Sequence, residues 1–346
     1  MRAVALLLLA ALALAPAGAD GAVVIKLGTV APEGSPWHDA LRDLAAEWQR
    51  ISGGEVTLRI YPGGVAGDEP DMLRKMRIGQ LNAAALSSGG LEEIVPDIRA
   101  MTFPLLLRDD GELAAVFAKF GPRISAELEA KGYKVLAWSS TGWIHFFSRK
   151  PVVAPEDLRQ QKLFVWGSDA QYVELLKQTG FQPLPLAVTD LLPALQTGLV
   201  DAFAAPPSVA LAYQWFAATP HMADLKWQPL PGATVISAKV WAQVPAELRP
   251  RLEQAAAEVG AKLQARIGAL NEQAVEAMRR RGLSVNRVSV EVEERWKALV
   301  REKGLPAFVG TRFSREAFAV VQEALVEYRR GRAAAGQPAA PSPARP

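Results

Sequence analysis

The sequence predicts an α/β protein of about two domains. Three observations carry this. Strand-like and helix-like segments alternate as βαβαβ near the N-terminus, and the alternation recurs further on. The chain has 346 residues, half of them apolar and 22% charged, which is globular composition with material for more than one core. A helical pattern from 245 to about 281 is long enough to pass from one lobe to another.

The first segment reads as an export signal. Met1-Arg2 precedes an apolar run from Ala3 to Ala15, Pro16 breaks it, and Ala17-Gly18-Ala19 offers the small residues a signal peptidase reads. Cleavage is expected before Asp20, because the run is too short for a retained span. No later stretch approaches 18 apolar residues, so an exported, soluble, periplasmic protein is expected. Val23 to Gly28 then reads as a buried strand, and Leu41, Leu44, Ala45, Trp48 and Ile51 mark the helix after it. The stretch 55–61 alternates as a half-buried strand. A glycine-rich turn follows, then a helix from Asp68 to Ile78 and a third strand from Leu81 to Leu86. Further on, Tyr133 to Trp138, Trp143 to Ser148, Lys162 to Trp166 and Val200 to Ala204 are strand-like. Helices are expected over Ala170 to Gln178 and from an N-cap at Thr189 to Thr197, closed by Gly198. Residues 331–346, rich in Ala, Pro and Gly, read as a disordered tail.

Composition excludes several functions. The formal net charge is only +3, and it falls to zero without Arg2, Arg332 and Arg345, so no field is expected to hold nucleic acid. There are no cysteines and only three scattered histidines, His38, His145 and His221, which argues against disulfides, thiolate chemistry and a His-rich metal site. The segment 63–67 lacks the spacing of a nucleotide fingerprint and any P-loop lysine. Neither a G-x-S-x-G elbow nor H-E-x-x-H occurs. Asp68 and Glu69 form a carboxylate pair, but nothing in the sequence places them in a cleft. No enzyme and no cofactor are expected.

Several motifs in order carry a resemblance. They are Tyr61-Pro-Gly-Gly-Val-Ala-Gly-Asp-Glu69, Ile78-Gly-Gln-Leu-Asn-Ala-Ala83, Phe103-Pro-Leu-Leu106, the 155–165 segment PEDLRQQKLFV and Ala194-Leu-Gln-Thr-Gly-Leu-Val-Asp201. From about Ile25 to Arg330 the chain resembles the substrate-binding proteins of tripartite ATP-independent periplasmic (TRAP) transporters, the C4-dicarboxylate-binding family. The resemblance implies a periplasmic binding protein-like fold: two α/β lobes around a ligand cleft, linked by crossing strands and a long helix. It implies lobe I at 20–143 plus 232–272 and lobe II at 144–231 plus 273–330. Membrane permease subunits are the implied partner.

The departures bear on the ligand. The family's carboxylate-binding arginine, two residues after the signature lysine, aligns with Phe164, and a second basic position aligns with Ile144. Polar residues usual after the Asp201 motif align with Phe203, Ala204 and Ala205. A dehydrated carboxylate would find few partners there, so a largely apolar or weakly polar ligand is expected. The chain resembles a branch that lacks the arginine and is often associated with a tetratricopeptide-repeat protein. The alternative is an ordinary organic-acid receptor in which another arginine, such as Arg149, makes the contact; a ligand-free scaffold is the third reading.

Candidate cleft residues follow. Phe164 and Trp166 share one strand face, which either lines the cleft or packs under a helix. Trp143, His145 and Phe147 share another face, opposite Ile144 and Phe146; the first set is taken for the cleft because it includes a polar group, although His145 itself reads more readily as a packing histidine than as a ligand contact. Trp37, Ser87 and Ser88 follow the first and third strands, where loops line the crevice of open sheets. Phe203, Ala205, Pro206, Gln214 and Trp215 complete the set.

Overall fold

A computed structural model describes residues 22–166 and 170–335. The expected signal segment and most of the expected tail lie outside these residues.

The chain opens with β1 (Val23–Thr29), α1 (Pro36–Ile51), β2 (Val56–Tyr61), α2 (Glu69–Arg77), β3 (Ala83–Ser87), α3 (Ser88–Glu92) and α4 (Asp110–Ala130). The α1 helix begins where Ser35 accepts the His38 N–H at 3.3 Å, and its buried stripe is His38, Leu41, Leu44 and Trp48. Asp68 caps α2 through the Glu69 N–H. The parallel pairing of β1 with β2 and β3 is the sheet that a βαβαβ run builds.

Then come β4 (Tyr133–Ser148), α5 (Pro155–Arg159), β5 (Lys162–Trp166), α6 (Ala170–Gln178) and β6 (Gln182–Leu186). After them run α7 (Leu191–Thr197), β7 (Ala202–Ala205), α8 (Pro207–Ala212), β8 (His221–Asp224), β9 (Gln228–Ser237) and α9 (Ala238–Trp241). The chain ends with α10 (Arg249–Arg279), β10 (Ser284–Arg287), α11 (Val290–Leu299), α12 (Leu305–Phe308) and α13 (Arg315–Ala334). Thr189 does not cap α7; it sits in a 3-10 turn at Val188–Asp190.

Strand order is β2-β1-β3-β9-β4-β7-β5-β6, with β8 also pairing β4 and β10 pairing β8. The two expected strands at 133–138 and 143–148 are one crossing strand. Its first part pairs antiparallel with β9, and from His145 to Ser148 it pairs with β7. A register shift between Ser140 and Trp143 bends it, and Gly142 takes φ 101 there. The molecule is thus two α/β lobes sharing β4 and β9. In the first, α2, α4 and α13 cover one sheet face and α1 and the start of α10 the other. In the second, α7, α8 and the end of α10 face α5, α6 and α11 across the sheet.

Helix α10 therefore touches both lobes, packing on α1, β4 and α8. Its Asn271 donates to the Thr141 carbonyl at 3.0 Å and accepts from Ser208 N and Oγ at 3.0 and 2.8 Å. The C-terminal segment departs from expectation. Phe308, Phe313, Phe318 and Val321 share the first lobe's core with Phe103 and Phe120, whereas the bounds implied by the resemblance put 273–330 in the second lobe. Residues 331–334, expected as tail, continue α13; alanine favours helix, and Arg332 reaches Asp109 at 3.4 Å.

Candidate functional site

Between the lobes lies a cavity of about 830 Å³. Strand β5 alternates, so Leu163 and Val165 are buried while Phe164 and Trp166 on the other face are half-buried; Phe164 and Trp166 both border the cavity. The Trp166 ring reaches the opposite lobe and lies directly on Gly89, where a Cβ would sit 1.8 Å from Cζ3. Trp37, Ser87, Ser88, Ala205, Pro206 and Trp215 also border the cavity. Ser87 caps the short α3 by accepting the Gly89 N–H at 3.2 Å and donates to Glu69 Oε2 at 2.8 Å. Trp215 stacks on Tyr213 with centroids 4.5 Å apart. The Tyr213 hydroxyl donates to the Val30 carbonyl, and Asp68 Oδ2 accepts the Val188 N–H at 3.1 Å; both bonds cross the cleft.

The face of β4 that meets the cavity is the other one. Ile144 and Phe146 border it. Trp143 turns into the first lobe's core and donates to Asp110 Oδ1 at 2.7 Å. His145 Nδ1 lies 3.1 Å from the Ala223 carbonyl, and burial holds its imidazole below the usual range. Phe147 and Phe203 are fully buried and stack on each other at 5.1 Å, beneath the helices of the second lobe. Gln214 is an exposed linker residue at φ 59 and does not border the cavity. The strand bend explains the first three, since a register shift re-aims the side chains that follow it.

Sequence reasoning missed other wall residues: Tyr213, Trp227, Glu69, Glu92, Arg99, Tyr172, Phe308 and Arg312. Tyr213 directly precedes Gln214 and Trp215 in sequence. The Arg99 and Arg312 positions carried no local signal. Burial pushes the Glu69 carboxyl up to about 7, against the two Ser87 donors and helped by the Asp68 charge. Burial likewise lifts Glu92 to about 7 although it pairs with Arg99. The Arg312 guanidinium is held below its ordinary value by burial and then by the Arg99 charge. Arg149 does not border the cavity. It faces Asp201 at 3.4 Å and donates to the Leu195 carbonyl. Among the described residues no group of three His, Cys, Asp or Glu is arranged as a metal site, and no helix is long and apolar enough to cross a membrane.

The model of the bacterial extracellular solute-binding protein family 7 matches residues 27–304. The chain belongs to that family. It is 25% identical over 281 residues to the C4-dicarboxylate-binding periplasmic protein of Rhodobacter capsulatus, covering 80% of this chain and 84% of that one. A solute-binding protein of Chromohalobacter salexigens is 27% identical over 172 residues, 49% of this chain and 51% of its own. The fold is that of a TRAP periplasmic solute-binding protein from Ralstonia eutropha H16 with bound (S)-2-acetolactate: TM-score 0.81, 22% identity, covering 90% of this chain and 100% of that one.

In this solute-binding protein the 155–165 and 194–201 motifs serve the frame of the second lobe. Asp201 accepts the Lys162 N–H at 3.3 Å and faces Lys162 Nζ at 3.6 Å and Arg149 Nε at 3.4 Å. The turn before β7 is thereby tied to β5 and to the end of β4, which fixes where Phe164 and Trp166 project.

Proposed function

We propose that this protein is the periplasmic receptor of a TRAP transporter and closes on a small molecule whose body is largely apolar. The observation that supports this most is the wall formed by Ile144, Phe146, Phe164 and Trp166, which holds no cation where the resemblance puts arginines. Burying roughly 300 Å² of apolar ligand at about 25 cal/mol/Å² gives on the order of 7 kcal/mol before the entropy of association is subtracted. Aromatic contacts add to this, so micromolar affinity needs no ion pair at Phe164. The three contacts that cross the cleft, at Gly89, Val30 and Val188, fit a clamshell whose closed form docks on a permease pair. The branch without the arginine, and its tetratricopeptide-repeat partner, belong to the same reading.

An organic-acid receptor is the second reading. The Rhodobacter relative is named for C4-dicarboxylates, and Arg99 and Arg312 border the cavity. Native mass spectrometry of the periplasmic protein followed by organic extraction separates the two. A largely apolar bound molecule is expected, with no heat from succinate or malate in titration calorimetry. Tight succinate binding, untouched by Phe164→Ala, would refute the apolar reading.

A further inference from the structure

We infer that the solute has a large body of about 20–28 non-hydrogen atoms, a long chain or fused rings, that touches both lobes at once. This rests on the apolar-body reading and names the size class of that body. The cavity of about 830 Å³ has room for about 28 water molecules at roughly 30 Å³ each, and a solute of about as many non-hydrogen atoms fills the same space. (S)-2-acetolactate, bound in the Ralstonia structure, has about nine such atoms and would leave about two thirds of this volume to water. Water held against aromatic carbon is the arrangement that apolar burial opposes, so a solute that displaces it binds more tightly.

The wall also joins three separately packed groups of rings. Phe308 belongs to the first lobe's core. Phe164, Trp166 and Trp215 pack with the second lobe's core on the α7 and α8 side, and Phe146 and Trp227 with the core on the other face of that lobe's sheet. All six border the one cavity. A solute that fills it lies against all three groups and so ties the lobes together, which a partly filled cavity does not. Small side chains make the room. Ala204 stands opposite Phe146 where β7 pairs with β4, so the two share a sheet face, and both border the cavity. The roughly 300 Å² of apolar ligand surface taken above is a lower bound for such a body.

The test is binding to the full mature chain, read by tryptophan fluorescence, of a neutral series: butanoyl-, octanoyl-, dodecanoyl-, hexadecanoyl- and eicosanoylethanolamide. These run from about 9 to about 25 non-hydrogen atoms in steps of about four, with succinate and glucuronate beside them. Affinity is expected to rise by up to about fourfold per added methylene, and to go on rising through hexadecanoylethanolamide, of about 21 atoms. A gain that stops at dodecanoylethanolamide or before overturns the size class and leaves the apolar body standing. Ala204→Leu puts about three more carbon atoms into the cavity, so it should weaken hexadecanoylethanolamide about fivefold or more beyond any effect on octanoylethanolamide. Equal weakening of the two, in a variant whose melting shows it folded, also overturns the size class; the wild-type series decides without any variant. No ethanolamide bound, whether or not the acids bind, removes the apolar body itself.

Discussion

Replacing Gly89 by alanine should disable closure while leaving the separate lobes intact. The new Cβ would lie 1.8, 2.3 and 3.0 Å from three atoms of the Trp166 ring, which belongs to the opposite lobe. Ordinary carbon contacts begin near 3.5 Å, so the ring edge must retreat by about 1.7 Å or the lobes must stay apart. Overpacking of this kind costs about 1–3 kcal/mol, which corresponds to a loss of about 5- to 150-fold in ligand affinity. The three atoms nearest the new methyl all belong to Trp166, and Gly89 itself is not at positive φ and sits in the first turn of α3. Alanine there is favoured by helix propensity, so the melting point of the ligand-free protein should not fall. Calorimetry gives the affinity, and small-angle scattering with and without ligand gives the compaction. Wild-type affinity and full compaction in Gly89→Ala would refute the idea that Trp166 on Gly89 is a closing contact.

Two further expectations follow from the same wall. Phe164→Arg inserts a charge that must lose water on closure, so an apolar probe should bind about tenfold or more weakly, and succinate should gain a measurable heat; an unchanged probe affinity by calorimetry would contradict this. Glu69→Gln tests the buried carboxyl. Its pKa rises from 4.5 to about 7 on folding, so the folded state holds the proton more tightly. That stability is complete below about pH 4.5 and is lost as pH rises through 7, a change of about 3 kcal/mol. Chemical denaturation at pH 5 and pH 8 should therefore show a smaller loss in Glu69→Gln than in wild type, and identical losses would overturn the assignment.

Much of the frame was legible because local pattern and tertiary role agree. The strand at Lys162–Trp166 and the helix at Ala170–Gln178 lie where alternation and helical spacing put them. The wall residues Phe164 and Trp166 were accessible to the same logic, since period-two alternation needs only a straight strand. It fails at β4, where the register shift before Trp143 breaks the alternation that would have carried Trp143, His145 and Phe147 to the cleft. Phe147 and Phe203 stack because β4 and β7 pair antiparallel with those two residues opposite, a partner choice that no local pattern states. Arg312 was out of reach for a different reason. It lies within a segment whose aromatics, Phe308, Phe313 and Phe318, return to the first lobe's core long after the chain has left it. Arg149 was the arginine offered as a substitute carboxylate contact, but Asp201 engages it.

The heat-capacity change of binding tests the central claim most directly. If the solute is held mainly by the aromatic wall, about 300 Å² of apolar ligand surface and a similar protein area leave water. At about 0.45 cal/K/mol/Å² this gives a change near −0.3 kcal/mol/K. Titration of the tightest-binding probe between 10 and 35 °C is expected to return a clearly negative value of that order, reduced in Phe164→Ala. A value near zero, unchanged by Phe164→Ala, would contradict the account.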